Sequence, residues 1–115
     1  VPEPLPGADR IVIFRAKLVG YLLNAAHPDG GPKARFFERF GFAAGRWREL
    51  ADALRRHAQT HPARAEPSPY GTRWIVEGTI STPSGRSPRV RSVWFTDTAG
   101  AAPRLVTAYP LPEQT

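Results

Sequence analysis

His27 and Lys33, in the stretch His27-Pro28-Asp29-Gly30-Gly31-Pro32-Lys33, are the side chains best spaced in this sequence to do chemistry together. An imidazole titrates near neutral pH and serves as general acid or base. Gly30 and Gly31 permit close backbone approach, and Pro32 suits the first position of a helix. A helix N-terminus offers free N–H groups and the positive end of a dipole, and Lys33 adds a point charge beside it. Gly30, Gly31 and Lys33 together make a candidate phosphate cradle. The Gly-x-x-x-x-Gly-Lys-Ser/Thr spacing of a nucleotide-binding loop is absent. The same residues also compose a plain turn between two helices, with a solvated lysine.

A second group lies in the C-terminal half. Arg86, Arg89 and Arg91 are followed by no acid until Asp97. In a regular strand Arg89 and Arg91 share a face, and with Arg73 they form a basic patch suited to a phosphate backbone. Charge on a strand edge also guards against aggregation, so a purely protective role stands beside the binding one. Thr107 and Tyr109 share one face of the last strand and offer hydroxyls to a phosphate oxygen. Both are also good strand formers. His57 and His61 have the spacing of a two-histidine zinc helix, but Ala58 replaces the expected Glu, and they read as solvated residues at a helix end. Trp47 and Trp74 fall on inward stripes. Trp94 is open between packing under the helices and stacking on a base.

These residues need elements to position them. Phe14, Leu18, Tyr21, Leu22 and Ala25 recur at helical spacing, which predicts a helix over 14–23, entered through an extended 11–13. A second helix spans 33–40, with Phe36, Phe37 and Phe40 inward and Gly41 as its C-terminal cap. A third spans 46–60, with Trp47, Leu50, Ala51, Leu54 and Ala58 as its apolar stripe, stopped by His61-Pro62. Residues 62–69 carry three prolines and read as a linker. The period then changes to two. Strands are predicted over 70–81, 89–96 and 104–109, joined by Thr82-Pro83-Ser84-Gly85 and a loop containing Gly100. The expectation is an α+β fold: helices over about 9–62, packed on an antiparallel sheet of three to four strands over about 70–110. Residues 1–8 read as a linker or extended N-terminus, and 9–112 as a single domain.

The chain has 115 residues, formal net charge +6 and no cysteine. A chain this long buries roughly two-thirds of its unfolded surface, enough for one core without staples. Disulfides and thiolate metal sites are excluded. No apolar run approaches the ~20 residues of a membrane helix, so no membrane span is expected. Phosphate backbones, anionic membrane surfaces and acidic proteins all suit the charge, and the expectation is nucleic acid with no membrane partner. No cofactor or metal is expected either. The charge points to a polyanionic partner. Of the 16 basic residues only Lys17 and Lys33 are lysine. Arginine's planar fork suits phosphate, although a GC-rich genome gives the same bias. The chain begins at Val1 with a proline-rich stretch and contains no Met. That favours a domain cut from a longer protein over loss of an initiator Met.

Several segments taken together carry a resemblance: Lys17-Leu18, Gly20-Tyr21-Leu22-Leu23-Asn24, His27-Pro28, Gly30-Gly31, Lys33-Ala34, Phe36-Phe37, Gly41-Phe42, Gly85-Arg86, Val93-Trp94, and Arg104-Leu105-Val106-Thr107-Ala108-Tyr109-Pro110. From Ala8 to Pro110 the chain resembles a bacterial domain family of unknown function, found alone and at the ends of larger proteins. The layout, ending in a Thr-x-Tyr-Pro strand, is also similar to the barnase, EndoU, colicin and RelE-like ribonuclease toxins. That resemblance implies RNA cleavage without metal, by attack of the ribose 2′-hydroxyl on the adjacent phosphorus. His27 would be acid or base and Lys33 the electrostatic stabiliser. Thr107 and Tyr109 would position the phosphate, Arg91 would clamp the backbone, and Glu77 is a possible partner base. It implies RNA as substrate, transfer RNA among the candidates, and action in the bacterial cytoplasm after delivery from a secreted larger protein. It also implies an acidic cognate antitoxin or immunity protein. The competing readings are a non-catalytic nucleic-acid or protein-binding module, and an immunity protein. Net charge +6 counts against the latter.

Overall fold

The structure, a computed structural model, describes residues 3–98 and 100–112. Helices come first and an antiparallel sheet follows, as the change of hydrophobic period requires. Helix α1, Arg15–Lys17, runs into a π-helical turn, Leu18–Leu22. Helix α2 is Gly31–Arg39 and α3 is Trp47–Thr60. The strands are β1 Glu3–Pro4, β2 Pro62–Ser68, β3 Gly71–Thr79, β4 Arg89–Thr96 and β5 Arg104–Pro110, in the spatial order β1-β2-β3-β4-β5.

The first helix departs from the expected 14–23. Its final bond runs from the Leu23 N–H to the Leu18 carbonyl at 2.7 Å, a five-residue step. That wider winding brings Leu23 onto the core beside Leu18 and Leu22, while Phe14, extended just before the helix, is 59% exposed rather than inward. Ala25 is exposed too. A π-turn forfeits regular helix geometry and is often found at functional sites. Here it carries Tyr21. Helix α2 ends as expected: Gly41 has φ 99°, and Phe42 and Gly41 donate to the carbonyls of Phe37 and Glu38. This is a Schellman cap, and the Phe37 and Phe42 rings meet edge-on at 6.0 Å to complete it.

The N-terminus, expected as a linker or an extended segment, is extended and paired, and the linker expected over 62–69 is largely a strand. Glu3–Pro4 pairs with Pro62–Ala63, and Leu5 is buried in the core. Residues 62–68 form β2, paired to β3 from Ala63↔Val76 to Ser68↔Gly71. Pro62 is the first residue of the strand, and Pro67 lies where β3 is its one neighbour among the described residues, both positions that tolerate proline.

Helix α3 lies across β3 and β4, α2 and α1 lie against β5, and the π-turn packs on α2 and reaches β5 through the Tyr21–Thr107 contact. Leu18, Leu22, Phe37, Leu50, Leu54 and Ala58 meet Val76, Val90, Trp94, Leu105 and Ala108 in one core. Trp94 is fully buried, so it packs under the helices. His57 is buried as well, not solvated. Its Nε2–H donates to the Gly78 carbonyl at 3.1 Å, which leaves Nδ1 to accept from the Ser92 hydroxyl at 2.9 Å. Ser92 in turn accepts from the Trp94 indole at 2.9 Å. Each polar atom is matched, as burial demands, and neither imidazole nitrogen is free for a metal. Half-buried His61 stacks beside it, with its Nδ1 bonded to the His57 carbonyl.

Candidate functional site

The register of the sheet determines which side chains share its outer face. Glu77 lies opposite Arg91, and Arg91 opposite Tyr109. Thr107 lies opposite Val93, on the same face. Immediately beyond, β5 passes Val106 without a partner, a bulge between Val93 and Trp94. Bulges of this kind re-aim side chains near functional sites. Because β5 is the last strand, residues of the helical half reach past it onto this face.

Tyr21 and Lys33 make that reach. Lys33 Nζ donates to the Tyr21 hydroxyl at 2.5 Å, and the Tyr21 and Thr107 hydroxyls share a hydrogen bond at 3.0 Å. Lys33 Nζ also sits 6.0 Å from the centre of the Tyr109 ring. Arg91 continues the row. Its Nη1 donates to the Tyr109 hydroxyl at 3.0 Å, and Nε donates to Glu77 Oε2 at 2.7 Å, with Nη2 on the same oxygen. The result is a connected series, Lys33–Tyr21–Thr107 beside Glu77–Arg91–Tyr109, with every member half-buried. Charge-assisted bonds of this type are shorter and stronger than neutral ones.

The electrostatics follow from those contacts. Burial alone would raise the pKa of the Tyr21 phenol. Hydrogen bonds with Lys33 and Thr107, and the charges of Lys33 and Lys17, outweigh it, so the phenol lies below its ordinary range. Lys17 Nζ stands 5.3 Å from the ring centre, the second cation on this tyrosine. Hydrogen bonds to Tyr109 and Glu77 hold the Arg91 guanidinium still more firmly in its charged form.

Lys33, Thr107 and Tyr109 therefore converge, and Arg91 joins them. His27 lies next to the group, its ring edge-on to Tyr21 at 5.1 Å between centres. Its Nδ1 accepts from the N–H groups of Asp29 and Gly30, at 3.0 and 2.9 Å. The ring proton is therefore on Nε2, and the lone pair a base would use holds the loop. Gly30 and Gly31 are buried, and the Gly31 N–H donates to the His27 carbonyl. Their N–H groups are thus already bonded, and these two glycines do not form an open phosphate cradle. They are glycine for a different reason. A Cβ on Gly30 would stand 2.3 Å from the Tyr21 carbonyl oxygen, and one on Gly31 2.8 Å from that of Ala25.

Arg89 lines a shallow groove of about 350 Å³ with Arg64, Ile75 and Glu77, next to Arg91 on the same face. Arg86 is exposed in the β3–β4 turn, away from the cluster along the chain. Arg73 is on the outer face too, paired with Glu66 at 3.8 Å. Tyr21 is the member that sequence reasoning missed as chemistry. Its helical spacing marked it as core, and only the π-turn and the β5 edge turn its hydroxyl to Lys33 and Thr107.

The structure is similar to a chain of a contact-dependent growth inhibition toxin–immunity protein complex from Klebsiella pneumoniae 342. The TM-score is 0.72 at 18% identity, and the match covers 95% of this chain and 100% of that one. At that identity the likeness is one of fold. No curated protein sequence matches the chain. A family model described as domain of unknown function DUF6883 matches residues 4–112, from the short first strand to the end of the sheet, and the chain belongs to that family.

Proposed function

We propose that this domain is a ribonuclease of a bacterial toxin system, cleaving RNA by attack of a ribose 2′-hydroxyl on the adjacent phosphorus. The observation that carries the reading is the meeting of Lys33, from the helical half, with Thr107 at the Tyr21 hydroxyl and with the ring of Tyr109, whose own hydroxyl holds Arg91. Phosphoryl chemistry of this kind needs cations where charge develops and donors that hold the non-bridging oxygens. Lys33 and Arg91 are the cations. Tyr109 is the donor, and Thr107 fixes the Tyr21 hydroxyl beside it. Glu77 is the counter-ion that orients Arg91, and His27 is the brace that holds the α2 N-terminus against Tyr21. Arg89 extends the cationic surface along the outer face for the flanking backbone.

The fold likeness to a chain of a toxin–immunity complex supports a place in a toxin system and a cognate protein partner. With net charge +6 on this domain, that partner is acidic. Delivery as part of a larger secreted protein, with action on RNA in the cytoplasm of a target bacterium, fits the same picture.

The test is incubation of the purified domain with total bacterial RNA and with transfer RNA, in EDTA, beside Lys33→Ala and His27→Ala. The expected result is cleavage by the wild type, loss in Lys33→Ala, and partial loss in His27→Ala. Equal cleavage by all three proteins places the activity elsewhere. Binding that weakens steeply with salt, without cleavage, identifies a non-catalytic nucleic-acid-binding module instead.

A further inference from the structure

Within the cluster, the cations of the helical half converge on neither the histidine nor the carboxylate but on the Tyr21 hydroxyl. His27 Nδ1 is bonded to two backbone N–H groups, and Glu77 Oε2 takes both Arg91 donors. The Tyr21 oxygen, by contrast, is surrounded by groups that favour its ionised form. The Lys33 ammonium donates to it, the Thr107 hydroxyl is in hydrogen-bond contact, and Lys17 lies over the ring. Its ring is held from two further sides. The edge of His27 abuts it, and Gly30 lets the α2 N-terminus close on it, since a Cβ there would lie 2.8 Å from the ring. A catalytic base needs this combination of fixed position and stabilised charged form.

We propose that Tyr21, as phenolate, is the general base of the site and takes the proton of the attacking ribose 2′-hydroxyl. The role rests on the ribonuclease reading. The bond from the 2′-oxygen to phosphorus forms as the bond from phosphorus to the 5′-oxygen breaks, giving a 2′,3′-cyclic phosphate and a 5′-hydroxyl end. The 2′-proton goes to Tyr21, and Lys33 supplies the proton taken up by the departing 5′-oxygen. Return of a proton from Tyr21 to Lys33 along their hydrogen bond resets the pair, so the reaction is balanced without a co-reactant. The downward displacement of the phenol described above supports the same assignment.

Tyr21→Phe isolates the hydroxyl, because the ring contacts to His27 and Gly30 remain. Three measurements decide. The first is cleavage rate as a function of pH, and the second is affinity for an RNA with a 2′-deoxy sugar at the cleavage position. The third is ultraviolet titration of phenolate, wild type minus variant, in a protein with only Tyr21, Tyr70 and Tyr109. The expected result is a fall in kcat of about 10²–10⁴-fold, with deoxy-RNA affinity unchanged. The acid limb of the wild-type profile should coincide with the Tyr21 titration and vanish in the variant. Wild-type rates in the variant, or a lowered rate with the limb in place, remove the base and leave the ribonuclease reading standing. No cleavage by the wild-type domain removes that reading, and this role with it.

Discussion

At the scale of single residues, the site is held by contacts that can be removed one at a time. Lys33→Gln keeps the length of the side chain and loses the charge beside Tyr21 and Tyr109. Removing one preorganised donor from such a site lowers kcat by about 10²–10³-fold, and that drop is expected in a single-turnover cleavage assay, with circular dichroism unchanged. Arg91→Ala has two effects, since it also strands Glu77 on the outer face. Restoring neutrality with Arg91→Ala/Glu77→Ala should recover stability but not activity. A double variant as active as the wild type would mean that this pair has no part in the chemistry.

Elements decide what single residues cannot. The α2 N-terminus sits on the π-turn so closely that Gly30→Ala drives a methyl group into the Tyr21 carbonyl, at 2.3 Å for an ideal Cβ. The neighbour is backbone, so the helix must move. Overpacking of this kind costs about 1–3 kcal/mol, read as a lowered midpoint in urea. Activity should fall further than stability, because the same shift carries Lys33 away from Tyr21. Gly41→Ala is the control. It strains a left-handed cap at φ 99° by about 1–2 kcal/mol without touching the cluster, so activity under folding conditions should persist. The proline-rich β2 belongs to this scale too. Its composition reads as a linker, and pairing with β3 along its length, and with β1 at its start, makes it a strand.

For the molecule as a whole, pH and salt act through different groups. Burial is the main cause that lowers the His57 pKa, to about 4 from 6.5, with a smaller push from His61. Between those values the unfolded chain binds a proton that the folded chain refuses, so stability falls as pH drops from 6.5 towards 4 and levels off below. One pH unit is worth about 1.4 kcal/mol, so the full window amounts to roughly 3 kcal/mol. His57→Gln should flatten this part of the profile in urea titrations at pH 7.5 and 4.5. Parallel profiles in the two proteins would mean that other groups carry the acid sensitivity. Salt acts on the outer face. If Lys33, Arg89 and Arg91 each neutralise a phosphate of a single strand, a fourfold rise in salt should weaken RNA binding about 20-fold. Removing Arg89 alone should reduce that slope with little effect on folding.

Local composition determined a good deal of this protein. The two hydrophobic periods separate helices from sheet, Gly41 ends α2, Pro62 ends α3, and Thr107 and Tyr109 fall on one strand face by alternation alone. The absence of cysteine excludes a disulfide scaffold and a thiolate metal site. What the sequence could not contain is anything that depends on contact across the chain. His57 reads as a solvated helix end until Ser92 and Gly78 close over it, and His27 reads as an acid–base group until the backbone of its own loop occupies its lone pair. Tyr21 reads as core because helical spacing predicts which face a residue lies on, not whether a π-turn rotates it or a sheet edge leaves its hydroxyl room. Thr107 meets it from 86 residues away in sequence. No local pattern encodes that distance; packing the helices against the last strand creates the contact.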